Sequence, residues 1–532
     1  MKKVLIIISI LSIASCTDLD LEPKNGLVES VAFEDFSGYE AYIAKIYASL
    51  TLTGQQGAAG QPDLTIINDE GFSSYLRVWW KAQELTTDEA IIAWNDSGIR
   101  DLHNHAWGAD NQFVRVLYYR IFYTISLTND FLRVAAELPD NLTSEELTKI
   151  NEFIAEARFI RAFSYWHALD HFRNIPLITS ITADLPTQVE SQVIFEFIES
   201  ELNEIENELL PPGQANHDYG RVDRAAAWML KAKLYLNAEV YTGVSRYDDV
   251  ITEVNKVIGE SYTLADTYQE LFMGDNHLRT DEIIWPIVHD GLVAQTWGGT
   301  TTIIRGAIGG AMSDDDGEAE ANYGVPSGWG GYRTTSSFVD LFPGASTDPD
   351  GNSVDGRAMF FTEGQSLDIP DVGEFTDGWA VPKYTNIEAS TGQRAPGVDQ
   401  VSTDYPVFRL AEAYLMLAEA EVQENGSISG TTLGYLNDLR FRAYGDNSGD
   451  VTVGDVDLDW ILDERGRELY LEATRRTDLI RHGKFTGGDY IWPWKGGVQE
   501  GVSTSSHLDV FPIPSSELIA NPRLEQNDGY GS

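Results

Sequence analysis

Residues 143–166 read Thr143-Ser144-Glu145-Glu146-Leu147-Thr148-Lys149-Ile150-Asn151-Glu152-Phe153-Ile154-Ala155-Glu156-Ala157-Arg158-Phe159-Ile160-Arg161-Ala162-Phe163-Ser164-Tyr165-Trp166. Thr143 with Glu146 three residues on is a capping box, which satisfies the free N–H groups of a helix start. Ile150, Phe153, Ile154, Ala157, Phe159, Ile160, Phe163 and Trp166 then recur at three-to-four spacing, the period of a helix with a buried stripe. Pro176 stands just past the end, where a helix stops. The spacing predicts a long helix over 143–173. It is too apolar to stand alone and needs helical neighbours.

Outward from it, the same reasoning predicts helices over 36–53, 111–138, 189–209, 221–240, 246–258, 407–424, 431–443 and 456–481. Residues 54–107 are mixed, rich in aromatics and turn formers. Paired helices with small residues at their seams imply helical hairpins of the tetratricopeptide type, although no clean 34-residue repeat is present. Between them, 259–405 carries the doublets Gly298-Gly299, Gly309-Gly310 and Gly330-Gly331 and lacks long periodic helices. It reads as an irregular subdomain of loops and short strands. The expected fold is mainly α, with helical hairpins supporting that loop-rich subdomain. The divisions are 1–15, 16–35, 36–258, 259–405 and 406–532.

The first of these is a leader. Lys2 and Lys3 precede an apolar run, Val4 to Leu11, and then Ser12-Ile13-Ala14-Ser15-Cys16. Small residues before the single Cys of the chain fit a lipoprotein signal, cut before Cys16 with the thiol acylated. Residues 16–35 are then lipid anchor and tether. One Cys excludes an internal disulfide framework and a thiolate-built metal site. Against 83 acidic residues stand 37 Lys and Arg, a net charge of −46. That excludes nucleic acid as the default partner and direct docking on anionic lipid. Attachment to membrane is expected through the N-terminal lipid only.

Catalytic motifs are scarce. There is no His-Glu-x-x-His, no Walker loop and no nucleophile elbow. His103 and His105 face the same way only on a strand. Residues 446–457 place oxygen groups at calcium-loop positions 1, 3, 5, 7 and 12, but Val451 occupies position six, where the turn wants Gly. A solvated acidic loop is expected there, with calcium as the alternative and no other cofactor. Acid pairs such as Asp69-Glu70 or Asp371 with Glu374 occur by chance in so acidic a chain. A two-carboxylate glycoside hydrolase is therefore the remote alternative.

The aromatics are more informative. Trp94 precedes Asn95-Asp96-Ser97-Gly98, Trp297 precedes Gly298-Gly299-Thr300, and Trp329 lies in Ser327-Gly328-Trp329-Gly330-Gly331-Tyr332. An indole flanked by Gly or Asn has few local neighbours to bury it. It either packs its loop onto the scaffold or forms an exposed platform for the C–H face of a sugar, with nearby polar groups for the hydroxyl rim.

Blocks along the chain carry a resemblance. They include Cys16 to Pro23, Glu156 to Trp166, Gly220-Arg221-Val222-Asp223-Arg224-Ala225, Phe408-Arg409-Leu410-Ala411-Glu412-Ala413-Tyr414-Leu415, and Glu464-Arg465-Gly466-Arg467-Glu468-Leu469-Tyr470-Leu471-Glu472 with Arg475-Arg476-Thr477-Asp478. The chain resembles the SusD/RagB family of outer-membrane glycan-binding lipoproteins, over nearly its whole mature length. Glu468, Glu472, Arg475 and Arg476 are read as a charge ladder on one helix. Stretches such as Glu84-Leu85-Thr86-Thr87-Asp88-Glu89 are similar to the starch-binding branch. The resemblance implies that Trp94, Trp297 and Trp329 form an aromatic arc, with Trp297 where Tyr is usual. It implies polar contacts from Asp69 and Arg77. Asn95 stands near the Asn that the branch carries, whose place Ser97 takes. It also implies a cell-surface, non-catalytic protein that binds neutral polysaccharide, starch or maltooligosaccharide first. Its partner would be a TonB-dependent outer-membrane transporter. A different glycan (β-glucan, hemicellulose or host glycan) is the alternative.

Overall fold

The computed structural model describes residues 29–313 and 318–531. The leader 1–15, Cys16 and the first part of the tether lie outside the described residues. Helices α1 (Phe36–Thr51), α2 (Tyr75–Glu84), α3 (Gln112–Val134), α4 (Ser144–Phe172), α5 (Ser191–Ile205), α6 (Arg224–Leu236), α7 (Tyr247–Ile258), α8 (Gly299–Ala307), α9 (Leu410–Asn425), α10 (Gly430–Tyr444), α11 (Leu458–Leu469) and α12 (Arg475–Arg481) carry the fold. Helix α4 is its axis. Thr143 Oγ1 accepts from the Glu146 N–H, and the Glu146 carboxylate accepts from the Thr143 N–H at 2.7 Å. From Ala155 to Phe172 nearly every residue is buried, so no polar face survives and neighbours cover it on all sides. It stops at Arg173, whose φ is 59°.

Each helix packs on the next: α3 on α4, α4 on α5, α6 on α7, α7 on α9, and α9 on α10 and α11. This is a tetratricopeptide-like array of helical hairpins. The caps follow the sequence. Asn111 accepts from the Phe113 and Val114 N–H groups, and Asp223 from Ala226. Among the described residues the strands form three antiparallel pairs: β1 (Ile91–Ile92) with β5 (Tyr332–Arg333), β2 (Ile175–Pro176) with β3 (Gln188–Val189), and β4 (Ile283–Ile287) with β6 (Tyr405–Arg409). The β4–β6 pair clamps the base of the irregular region. The β1–β5 pair ties a loop of that region to the N-terminal scaffold.

Two expectations are corrected. The mixed stretch 54–107 contains helix α2, in which only Arg77 is not buried. With only 10 residues it is too short for a periodic stripe to stand out. The helix expected over 456–481 is two helices, α11 and α12, with Leu471 and Ala473 at positive φ (59° and 55°) between them. That corner dissolves the charge ladder. Arg475 turns to Asp88, with Nε–Oδ1 at 2.9 Å and Nη2–Oδ2 at 2.8 Å. Glu468 and Glu472 instead hold Arg409, at 2.6 and 2.7 Å.

Arg409 belongs to a buried ion network. Arg357 binds Asp355, Glu464 and Glu468 at 2.6, 2.8 and 2.9 Å. Lys383 meets Glu472 at 2.7 Å, and Arg442 bridges Glu282 and Glu468. Burial pushes the Glu468 carboxyl upward, but Arg442, Arg409 and Arg357 together bring it down to about 2. The loop region is thereby fixed to the C-terminal helices by charges that have no water to compete for them.

The run Glu84 to Glu89 has a structural task. The Ala473 N–H donates to Glu84 Oε1 at 2.5 Å and the Leu471 N–H donates to Glu89 Oε2 at 2.8 Å. With Asp88 on Arg475, this run holds the corner between α11 and α12.

Candidate functional site

The three Gly- or Asn-flanked Trp residues converge. Trp94 follows β1, Trp297 precedes α8, and Trp329 precedes β5. The Trp94 and Trp329 rings stand 6.2 Å apart and tilt by 52°. Those of Trp297 and Trp329 are also 6.2 Å apart, tilted by 47°. All three are half-buried, so each keeps part of its surface open. The row is held by backbone. Trp94 Nε1 donates to the Trp329 carbonyl at 3.0 Å. The Trp329, Gly330 and Gly331 N–H groups donate to the Arg305, Ile308 and Gly306 carbonyls.

Glycine makes the approach possible at two points. A Cβ on Gly331 would lie 2.7 Å from the Trp94 ring, and one on Gly71 would lie 2.7 Å from Trp297 Cβ. Gly71 also stands between Asp69 and Arg77, so the polar pair and the Trp297 platform meet around a missing side chain.

Asp69 and Asn95 are exposed and Arg77 is half-buried. Arg77 Nη1 donates to the Trp297 carbonyl at 3.4 Å, while its Nε has no partner. Asp69, Arg77, Asp96 and Arg115 line a cavity of about 350 Å³ beside the row, floored by Phe72 and Phe113, whose rings meet edge to face at 4.3 Å. Ser97 turns its carbonyl to Gln112 Nε2 at 2.5 Å.

Sequence reasoning missed two residues here. Arg305, on α8, stacks over Trp329 and Trp297 at 5.0 and 5.8 Å and donates to Ser327. Lys81, on α2, is 1% exposed. Its ammonium lies 5.1 Å from the Trp94 ring centre and 5.2 Å from that of Phe113. Burial, then the Arg77 charge, hold the Lys81 pKa well below the ordinary lysine value. Both residues sit in short helices, of 10 and 9 residues, too brief for a periodic stripe to stand out. The only signal was their closeness in sequence to aromatic or Gly-rich stretches.

Other candidates have local tasks. Glu70 accepts from the Gly60 N–H at 2.6 Å and from Thr53. Asp371 closes its own turn onto Gly373. In the acidic loop 446–457, Asp446 accepts from the Ser448 N–H, Asp455 from Thr452, and Asp457 caps α11 at Trp460. These oxygens point to three separate turns. Among the described residues no group of three or more His, Cys, Asp or Glu is placed to hold a metal. His103 and His105 are buried, and burial pushes both down to about 3.

A mainly helical scaffold carries a row of tilted indoles, platforms suited to the C–H faces of sugar rings. The SusD family model matches residues 357–530. The chain is 33% identical to the starch-binding protein SusD of Bacteroides thetaiotaomicron, over 98% of both chains. It is 22% identical to SusD-like protein P2 of Formosa agariphila, over 99% of both. A SusD-like carbohydrate-binding protein from Bacteroides fragilis superposes with a TM-score of 0.71 at 20% identity, covering 93% of this chain and all of that one. A laminarin-binding SusD-like protein superposes with a TM-score of 0.68 at 22% identity, covering 93% and 99%. The chain belongs to the SusD family. It is a non-catalytic, surface-exposed outer-membrane protein that binds glycan and serves a TonB-dependent transporter. No helix among the described residues is long and apolar enough to cross a membrane.

Proposed function

We propose that Trp94, Trp297 and Trp329 cradle a coiled neutral glucan, starch or its maltooligosaccharides, while Asp69, Arg77 and Asn95 order its hydroxyls. The carrying observation is the tilt. Successive indole planes are tilted by 52° and 47°, so a ligand that touches all three must bend rather than lie flat. α-1,4-Linked glucan coils and suits a curve, whereas a flat ribbon such as cellulose does not. The starch-binding relative at 33% identity supports this choice. A second reading is a β-1,3-glucan, which also coils. The laminarin-binding protein of the same fold favours it.

Aromatic anchors buried by a ligand cost about 2 kcal/mol on truncation, roughly 30-fold in affinity. Trp297→Ala and Trp329→Ala are therefore expected to weaken binding of cyclic maltooligosaccharide by about that factor, with the melt near wild type. Titration calorimetry with cyclic maltooligosaccharide and laminarihexaose side by side separates the two glucans. Unchanged affinity for both in all three Trp→Ala variants, with the fold intact, places the site elsewhere.

We further propose that Cys16 carries the lipid that holds the protein to the membrane, since the only thiol follows small residues behind an apolar run. Cys16→Ala is expected to abolish metabolic lipid labelling. Labelling that persists removes this reading.

A further inference from the structure

The cavity beside the indole row has a feature that the row does not need. Lys81 is almost wholly buried, yet no acceptor among the described residues hydrogen-bonds its ammonium. Its surroundings are the rings of Phe72, Trp94 and Phe113, at 5.8, 5.1 and 5.2 Å. A buried ammonium without an acceptor is costly. Lys81 lines the cavity, so a ligand held there would supply the missing acceptor.

Three other polar groups of the cavity are also uncommitted. The side chains of Asp69, Asp96 and Arg115 make no hydrogen bond among the described residues, and Arg115 Nε is buried without a partner. Open donors (Lys81, Arg115 and the Nε of Arg77) and open acceptors (Asp69, Asp96) therefore face one space. An anion satisfies only the first set and is repelled by the second. A hydroxyl both donates and accepts, so a polyol satisfies both. The volume of about 350 Å³ is that of about a dozen waters at ~30 Å³ each, enough for one pyranose ring.

The cavity also shares its wall with the row. Lys81 lies under Trp94, and Arg77 donates to the Trp297 carbonyl. A sugar in the cavity is thus within reach of a chain lying on the indoles. We infer that this cavity is a side pocket for a single neutral glycosyl branch of the bound glucan, with Lys81 as the donor that selects branched over linear chains. The inference rests on the glucan reading above and adds to it a preference for branching.

The test compares linear maltoheptaose with maltoheptaose bearing one α-1,6-glucosyl branch, and laminarihexaose with its β-1,6-glucosyl derivative. Titration calorimetry uses the whole mature chain. A hydrogen bond is worth about 0.5–1.5 kcal/mol net, so the branched probe is expected to bind roughly threefold to tenfold tighter. In Lys81→Met the ratio of branched to linear affinity should fall to near one, with a melt equal to or above wild type, because an enclosed polar group without a hydrogen-bond partner is gone. Asp96→Asn, at an exposed position, should lower the same ratio without touching the fold.

Binding of neither series in wild type would remove the glucan reading itself. Binding of linear chains with no gain from the branch, or a gain that survives Lys81→Met, would overturn this inference alone. Tighter binding of a glucuronosyl-branched probe than of the glucosyl-branched one would also overturn it, since the pocket would then be built for an anion.

Discussion

Trp94 is seated on a glycine. The Gly331 backbone lies so close that any side chain there would meet the indole at 2.7 to 2.9 Å. The indole is half-exposed, so it yields outward rather than straining the core. Gly331→Ala is therefore expected to lower glycan affinity while the melt stays near wild type. Fluorescence of the Trp residues should report the displaced ring, and calorimetry the affinity. Equal affinity in this variant would mean that the ligand does not touch Trp94. At this scale the sequence was informative for exposed residues and silent for enclosed ones. A Trp amid Gly and Asn announces a loop with an aromatic tip, and the family resemblance assigned the three to one arc. Lys81 and Arg305 carry no such mark, because a charged residue enclosed by neighbours distant in sequence looks like any polar residue on a helix.

The corner between α11 and α12 shows the same limit for elements. Long helices with caps and apolar stripes were legible, α4 above all. The break at Tyr470 to Thr474 was not, because Leu471 and Ala473 adopt positive φ without a glycine to signal it. Their strained backbone is held by Glu84 and Glu89 from another part of the chain. Burial raises Glu84 well above the ordinary value and Glu89 to about 7, with the mutual repulsion of the two adding to it at Glu84. A carboxyl raised on folding contributes stability that is full below its unfolded value of about 4.3. That contribution is lost as pH rises through about 7. Asp404, buried and also raised to about 7, acts in the same direction. Glu468, lowered to about 2, acts in the opposite one, and its contribution is lost below about pH 4. The expected outcome for Glu89→Gln is a smaller fall in melting temperature between about pH 5 and pH 8, since the amide oxygen still accepts from Leu471. A pH profile identical to wild type would show that the pair does not titrate in this range.

Across the molecule, apolar packing is nearly continuous: one core cluster runs from α1 through α4 and the loop region to the C-terminal tail. The boundaries proposed at 258/259 and 405/406 fall on composition shifts. The ion network through Glu282, Arg357, Arg409 and Glu468 crosses the second, and the pairs Lys233–Glu412 and Asp88–Arg475 tie the first part of the chain to the last. A single calorimetric transition is therefore expected for the whole chain. Arg409→Met leaves Glu282, Glu468 and Glu472 without their shared partner. It should destabilise that one transition by about 3–5 kcal/mol. Two separate transitions, with only the second shifted, would mean that the halves melt independently.

The contacts at the corner also order events in time. Glu84 and Glu89 find their backbone partners 389 and 382 residues further along. During synthesis the first helices emerge long before the segment that makes two of their buried carboxylates tolerable. Pairings so distant in sequence slow folding. The N-terminal scaffold thus has no finished state of its own until the last sixty residues arrive. For a protein that must be threaded through a membrane before it reaches the cell surface, such lateness puts off the final closure until nearly the whole chain is present.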